Sequence, residues 1–158
     1  MEETKAPDSR LSCTLSSYRI KRFAIEELQE PIGDSLLTIK PDVFFEPGKS
    51  AYKTLLCCQY AVDRIRFDAV IEGDFDFKDP IAPNNAKHAW VNGCTVLYGI
   101  LRGVCSSMSA QVAGKVVLLP TVMMIEHVNR RIQQIIKEAE DASRKAKESE
   151  PPALPPKA

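Results

Sequence analysis

Apolar and polar residues alternate along four successive stretches of the chain, and two later stretches repeat every three or four residues. The sharpest alternation puts Ile65, Phe67, Ala69, Ile71, Gly73, Phe75 and Phe77 on one parity. Arg64, Arg66, Asp68, Glu72, Asp74 and Asp76 take the other, broken only by Val70. A period of two sustained this far predicts a long strand with one wet face. Tyr52 to Val62 reads as the strand before it, joined by a tight hairpin at Asp63-Arg64. Leu36 to Phe45 reads as another, with Leu37, Ile39, Val43 and Phe45 on one parity. Pro41 lies inside that stretch and cannot donate to a ladder, so the strand is an edge or is broken there. The first strand spans Ser17 to Leu28. Its apolar parity slips between Tyr18/Ile20 and Phe23/Ile25, which predicts a bulge near Lys21-Arg22. Turns fall at Pro31-Ile32-Gly33-Asp34 and at Glu46-Pro47-Gly48-Lys49. Together these stretches predict a four-stranded antiparallel meander with one face to be covered.

The cover follows directly. Asn84 or Asn85 can cap a helix in which Trp90, Cys94, Leu97, Leu101, Val104, Met108 and Val112 recur at helical spacing. Its opposite stripe is small: Gly99, Gly103, Ser106 or Ser107, and Ala110. Glycine costs about 1 kcal/mol inside a helix, so Gly93, Gly99 and Gly103 imply that something approaches the backbone closely. Gly114 ends the helix. Val116 to Met124 is dense in apolar residues, and Pro120 in its middle excludes a regular helix, which leaves an extended crossover. A last helix is predicted from about Ile125 to Glu148, with Val128, Ile132, Ile135, Ile136, Ala139 and Ala142 as its stripe. The class is α+β. One domain is expected over residues 17–148, with a disordered lead-in over 1–16 and a proline-rich disordered tail over 149–158.

Charge narrows the function. Twenty-one basic residues balance twenty-one acidic ones among 158, so neither nucleic acid nor an anionic membrane is called for as a partner. No apolar run nears the roughly 20 residues that cross a bilayer. Met1 to Arg10 is polar with no apolar segment behind it, so no signal peptide is expected and a cytoplasmic setting is. The five cysteines are 13, 57, 58, 94 and 105, with no CxxC pair, and all are expected to be reduced.

Catalytic chemistry finds little footing. His88 and His127 have no acid spaced to orient them. His88 and Cys94 are six apart, which is wrong for one helix face, so no metal site is expected. Cys94 and Cys105 lie on or beside an apolar stripe, which favours burial over nucleophilic use. Asp68, Glu72, Asp74 and Asp76 could bind a cation or work as acid and base, but such a row is more simply the solvated face of a half-buried sheet. No glycine-rich phosphate loop follows a strand, and Arg102 rules out a membrane reading of Gly99-x-x-x-Gly103. The expectation is a non-enzyme without cofactors.

What stands out is apolar supply. The Val116–Met124 run holds seven large apolar residues, including paired methionines, and Phe44, Phe45, Tyr52, Tyr60 and Trp90 add aromatics. A four-stranded sheet with one long helix cannot bury them all in so short a chain, so a partner subunit covers them or they form a binding surface. Methionine suits surfaces that adapt to irregular partners.

The stretch from Asn92-Gly93-Cys94-Thr95-Val96-Leu97-Tyr98-Gly99-Ile100-Leu101-Arg102 through Leu118-Leu119-Pro120-Thr121-Val122 resembles the SecB family of export chaperones. The points of likeness are a Leu-Tyr element ahead of a helical arginine and a Leu-Pro crossover beyond it. Tyr18-Arg19-Ile20-Lys21-Arg22 resembles the family's opening strand, and the likeness spans roughly residues 17–130. The resemblance implies an ATP-independent holdase of the bacterial cytoplasm that keeps unfolded or nascent polypeptides, such as export preproteins, in grooves between crossover and sheet. It implies a dimer or tetramer with main helices packed together, for which Gly99, Gly103, Ser107 and Ala110 are the expected contact. Val43, Phe45, Trp90, Leu118, Leu119, Val122 and Met124 become the expected client-binding residues, with main-chain bonding to an edge strand adding affinity.

The family's acidic sheet face docks the translocase motor, a role that Asp68, Glu72, Asp74 and Asp76 would fill here. This chain departs by being neutral, with Arg64 and Arg66 diluting the row, and SecB-like relatives also protect specific clients such as antitoxins. Two other readings stay open. A hot-dog-type ligand-binding enzyme also wraps sheet around a long helix but sends strands after it. A structural oligomer without clients predicts that the crossover run is fully covered.

Overall fold

The computed structural model describes residues 13–46 and 48–148. Four strands come first: β1 (Cys13–Glu27), β2 (Leu36–Phe45), β3 (Ala51–Val62) and β4 (Ile65–Phe77). After a 3-10 turn at Pro83–Asn85 come two helices, α1 (Ala86–Ala113) and α2 (Met124–Glu148). β1 starts at Cys13, so residues 13–16 belong to the sheet and not to a disordered lead-in. The expectations for residues 1–12 and 149–158 lie outside the described residues.

All strand pairs are antiparallel, and the order across the sheet is β1-β4-β3-β2. This corrects the sequential meander: β2, β3 and β4 follow one another, but β1 pairs with β4 instead of β2. The connector between β1 and β2, residues 28–35, is bonded to the β3–β4 turn instead of closing a tight hairpin. There the Leu28 and Ile32 amides donate to the carbonyls of Arg64 and Asp63. At that turn Asp63 takes a left-handed conformation with φ 53°, which aspartate tolerates. The register of β1 on β4 slips between Ile20 and Arg22, where the parity break predicted a bulge, and again between Leu15 and Ser17. β2 is an unbroken edge strand with Pro41 opposite Leu56, so the proline marks the edge.

The inner face of β4 is the floor of the core. Phe67, Ala69, Ile71 and Phe75 are fully buried, and α1 lies over them with Ala89, Cys94, Leu97, Leu101 and Cys105. The buried stripe of α1 continues through Cys105 and Ser109, where sequence spacing favoured Val104, Met108 and Val112. Val104 and Met108 are half-buried and Val112 is exposed. Helix and sheet meet closely at two glycines. A Cβ at Gly73 would stand 2.8 Å from Leu97, and one at Gly93 would stand 2.6 Å from Thr54 Oγ1. Tyr52 stacks on Phe45, Phe75 and Phe77 at centroid distances of 5.4, 5.1 and 5.1 Å. Its hydroxyl donates to the Ala89 carbonyl at 2.9 Å, tying sheet to helix.

Candidate functional site

The crossover between α1 and α2 is held to α1 by a series of polar clamps. Ser109 Oγ accepts from the Val117 amide at 2.8 Å, Arg102 Nε donates to the Leu119 carbonyl at 3.1 Å, and the Tyr98 hydroxyl donates to the Pro120 carbonyl at 2.8 Å. Tyr98 is 5% exposed, and burial pushes its phenol pKa up, so it stays a donor across the physiological range. Lys115 reaches Asp63 at 2.6 Å and lowers that carboxyl's pKa by its hydrogen bond. Held this way, the extended segment alternates. Val117 and Leu119 point into the core, while Val116, Leu118 and Met123 are 59%, 60% and 65% exposed. The result is a pinned rail with an apolar outer edge.

From the rail the chain turns into α2, whose Met124 and Val128 are buried. The helix then runs against β2. Arg131 Nε donates to Asp42 at 2.7 Å, and both side chains are mostly buried. Between them lies a groove of about 330 Å³ with Leu37, Ile39 and Pro41 on the strand side and His127, Arg130 and Gln134 on the helix side. Past Ile132 the apolar stripe of α2 loses its partner, and Ile135 and Ile136 are exposed.

The expected client-binding residues divide. Leu118 is exposed, and Val43, Phe45 and Val122 are half-buried against the core. Trp90, Leu119 and Met124 are 7%, 0% and 5% exposed, so they support the rail from beneath and do not line it. For Leu119 the reason is the alternation of the crossover. Trp90 and Met124 sit at the start of their helices, where each faces the core. Gly99, Gly103, Ser107 and Ala110 form one exposed stripe on α1, and nothing lies within 4 Å of a Cβ built at either glycine.

The carboxylate row meets bases from neighbouring strands. Glu72 is bound by Arg19 at 3.0 Å and by Lys21 and Lys53 at 3.3 Å, and it is only 9% exposed. The Arg19 hydrogen bond, with those from the lysines, outweighs the cost of burial and holds its pKa at about 2. Asp68 pairs with Arg22 at 2.8 Å and accepts from Gln59 at 2.9 Å. Lys53 also reaches Asp74 at 3.5 Å, and Ser16 hydrogen-bonds Asp76. Three of the four carboxylates thus meet Arg19, Lys21, Arg22 or Lys53, while Asp76 meets Ser16.

The buried thiols are inert. Burial raises Cys58 to about 12 and Cys105 to about 11, and raises Cys94 as well. Among the described residues no group of histidine, cysteine and carboxylate side chains could hold a metal, and no helix is long and apolar enough to cross a membrane. The sheet is complete before α1, unlike the hot-dog arrangement.

No family model matches the chain, and no curated protein matches it. Among solved structures it is similar to the Mycobacterium tuberculosis SecB-like chaperone Rv1957 in complex with a ChAD peptide from the Rv1956 HigA1 antitoxin. The TM-score is 0.55 at 19% identity, over 70% of this chain and 90% of that one. The chain has a SecB-like fold. A protein of unknown function from Streptococcus agalactiae also matches, with a TM-score of 0.49 at 10% identity, over 72% of this chain and all of that one. On the SecB-like fold, sequence reasoning missed the roles of Tyr98, Arg102 and Ser109 as clamps and of Arg131 as the anchor of α2. A signal was available for the first pair. Tyr98 and Arg102 are long polar-ended residues one helical turn apart in the middle of an otherwise apolar or small-residue stretch, Val96 to Cys105, and they stand beside the run whose carbonyls they bind.

Proposed function

We propose that the protein is a holdase chaperone that captures unfolded or nascent polypeptide without nucleotide. The observation that carries this reading is the crossover. It is fixed by side-chain bonds to its backbone, yet it presents Val116, Leu118 and Met123 to solvent. A segment free to turn would bury such residues, whereas a pinned one keeps an apolar surface ready for a partner. The open edge of β2 supplies a second means of capture through main-chain hydrogen bonds. Likeness to a SecB-like chaperone bound to an antitoxin peptide supports a polypeptide client.

The subunits are proposed to assemble as a dimer or tetramer through the Gly99, Gly103, Ser107 and Ala110 stripe, in the bacterial cytoplasm. Between an export role and a client-specific, antitoxin-type role, the basic partners of Asp68, Glu72 and Asp74 on the outer sheet face favour the latter. Asp68 and Glu72 are already engaged, so they are poorly placed to dock a translocase motor.

The test is light scattering of a chemically unfolded protein diluted into stoichiometric amounts of this chain without nucleotide. Suppressed aggregation is expected, and Leu118→Ser with Met123→Ser should reduce it while the circular dichroism melt is retained. Absence of suppression by the folded wild-type chain would sink the holdase reading and favour a structural oligomer.

A further inference from the structure

The groove between β2 and α2 carries more positive charge than its own residues neutralise. Lys40, Arg130 and Arg131 all line it. Arg131 is committed, bonded to Asp42 at 2.7 Å and to Glu138 at 3.6 Å. Lys40 and Arg130 are exposed and make no ion pair among the described residues. Burial and the neighbouring Arg130 lower the pKa of His127, so its ring is neutral at neutral pH and adds polar contacts without charge. Two cations are therefore left over.

The backbone beside these cations is suited to an extended ligand. A proline fits an unbroken ladder only with its nitrogen on the unpaired side. Pro41 pairs in register with Leu56, so its nitrogen faces the open edge of β2. Peptide groups alternate sides along a strand, so the main-chain groups of Leu37 and Ile39 face that edge too. A segment added there finds donors and acceptors at Leu37 and Ile39 and loses its donor at Pro41. Side chains on one of its faces then lie towards α2.

Resting on the holdase reading and narrowing it, we propose that this groove selects extended polypeptide segments in which Asp or Glu stands next to apolar residues. Arg130 can take a carboxylate with two parallel N–H donors, and Lys40 offers a point charge on a flexible stem. Basic segments meet repulsion from the same two residues. Selection is electrostatic at a partly exposed site, so salt weakens it while apolar and main-chain capture persists.

The experiment uses the full chain and two labelled, unstructured peptides with identical apolar positions, one flanked by Glu and the other by Lys, read by fluorescence anisotropy. At low salt the acidic peptide is expected to bind about tenfold more tightly, the worth of two partly exposed ion pairs. The difference should shrink to about twofold or less near 1 M salt. Lys40→Glu with Arg130→Glu, both exposed and so expected to fold, should reverse the preference. Equal affinity for the two peptides, with aggregation suppression intact, would overturn the charge selection and leave the holdase reading standing. A preference for the acidic peptide that survives the double charge reversal would overturn the assignment to this groove. Binding of neither peptide, with no suppression of aggregation, would overturn both.

Discussion

Three glycines lie in α1, and the structure gives them opposite roles. Gly93 faces β3, where an added Cβ would stand 2.6 Å from Thr54 Oγ1 and 3.1 Å from the Tyr52 hydroxyl. Gly93→Ala therefore forces helix and sheet apart, at a cost of about 1–3 kcal/mol for overpacking, offset by about 1 kcal/mol of better helix propensity. The expected net loss is about 1 kcal/mol. Gly99 and Gly103 have nothing within 4 Å. In an isolated chain Gly99→Ala and Gly103→Ala should each gain about 1 kcal/mol, raising the melting temperature by several degrees. If their stripe packs against a second α1, the same methyl groups hold two backbones apart and weaken assembly. Urea unfolding of dilute protein reads the first effect, and light scattering across a concentration series reads the second. Higher stability with a lower mass supports the stripe as a subunit contact. Higher stability with unchanged mass refutes it, and a stabilised Gly93→Ala refutes the close approach to β3.

Further outcomes follow from the clamps and the outer face. Tyr98→Phe removes the bond to the Pro120 carbonyl at 2.8 Å and should cost about 1 kcal/mol in urea unfolding, with faster hydrogen exchange along the crossover. Leu119→Ala, at a fully buried position, should cost about 2–5 kcal/mol, whereas Leu118→Ala at 60% exposure should change stability little; equal costs would contradict the alternation. The folded pKa of Glu72, about 2, lies below its ordinary 4.5. Its stabilising contribution is thus full above about pH 4.5 and lost as pH falls through about 2. With its cationic partners largely exposed, that contribution is about 1–2 kcal/mol. Glu72→Gln should flatten the stability profile in that acid window and leave it parallel to wild type above it.

The elements were legible because local pattern dominates them. Strict alternation from Ile65 to Phe77 became the central strand, Pro41 marked an edge, and the parity slip after Ile20 became a bulge. Strand order was not legible, since no periodicity says that the connector after β1 bonds to the Asp63 turn. The candidate site was half legible. Composition pointed to the crossover, but an apolar run does not reveal which of its residues face inward. That depends on how Tyr98, Arg102 and Ser109 fix the backbone, a long-range fact. The same limit applied to the carboxylate row, whose neutralising bases come from β1 and β3.

The central claim is that an unfolded chain is held along the crossover and the open edge of β2. Hydrogen–deuterium exchange of the full-length protein, alone and with a saturating, permanently unfolded client, tests it most directly. The account predicts slower exchange at the Leu37 and Ile39 amides and along the crossover in the complex, with the centre of β4 unchanged. A bound client that leaves β2 and the crossover unprotected, or that protects only the outer face around Glu72, would contradict it.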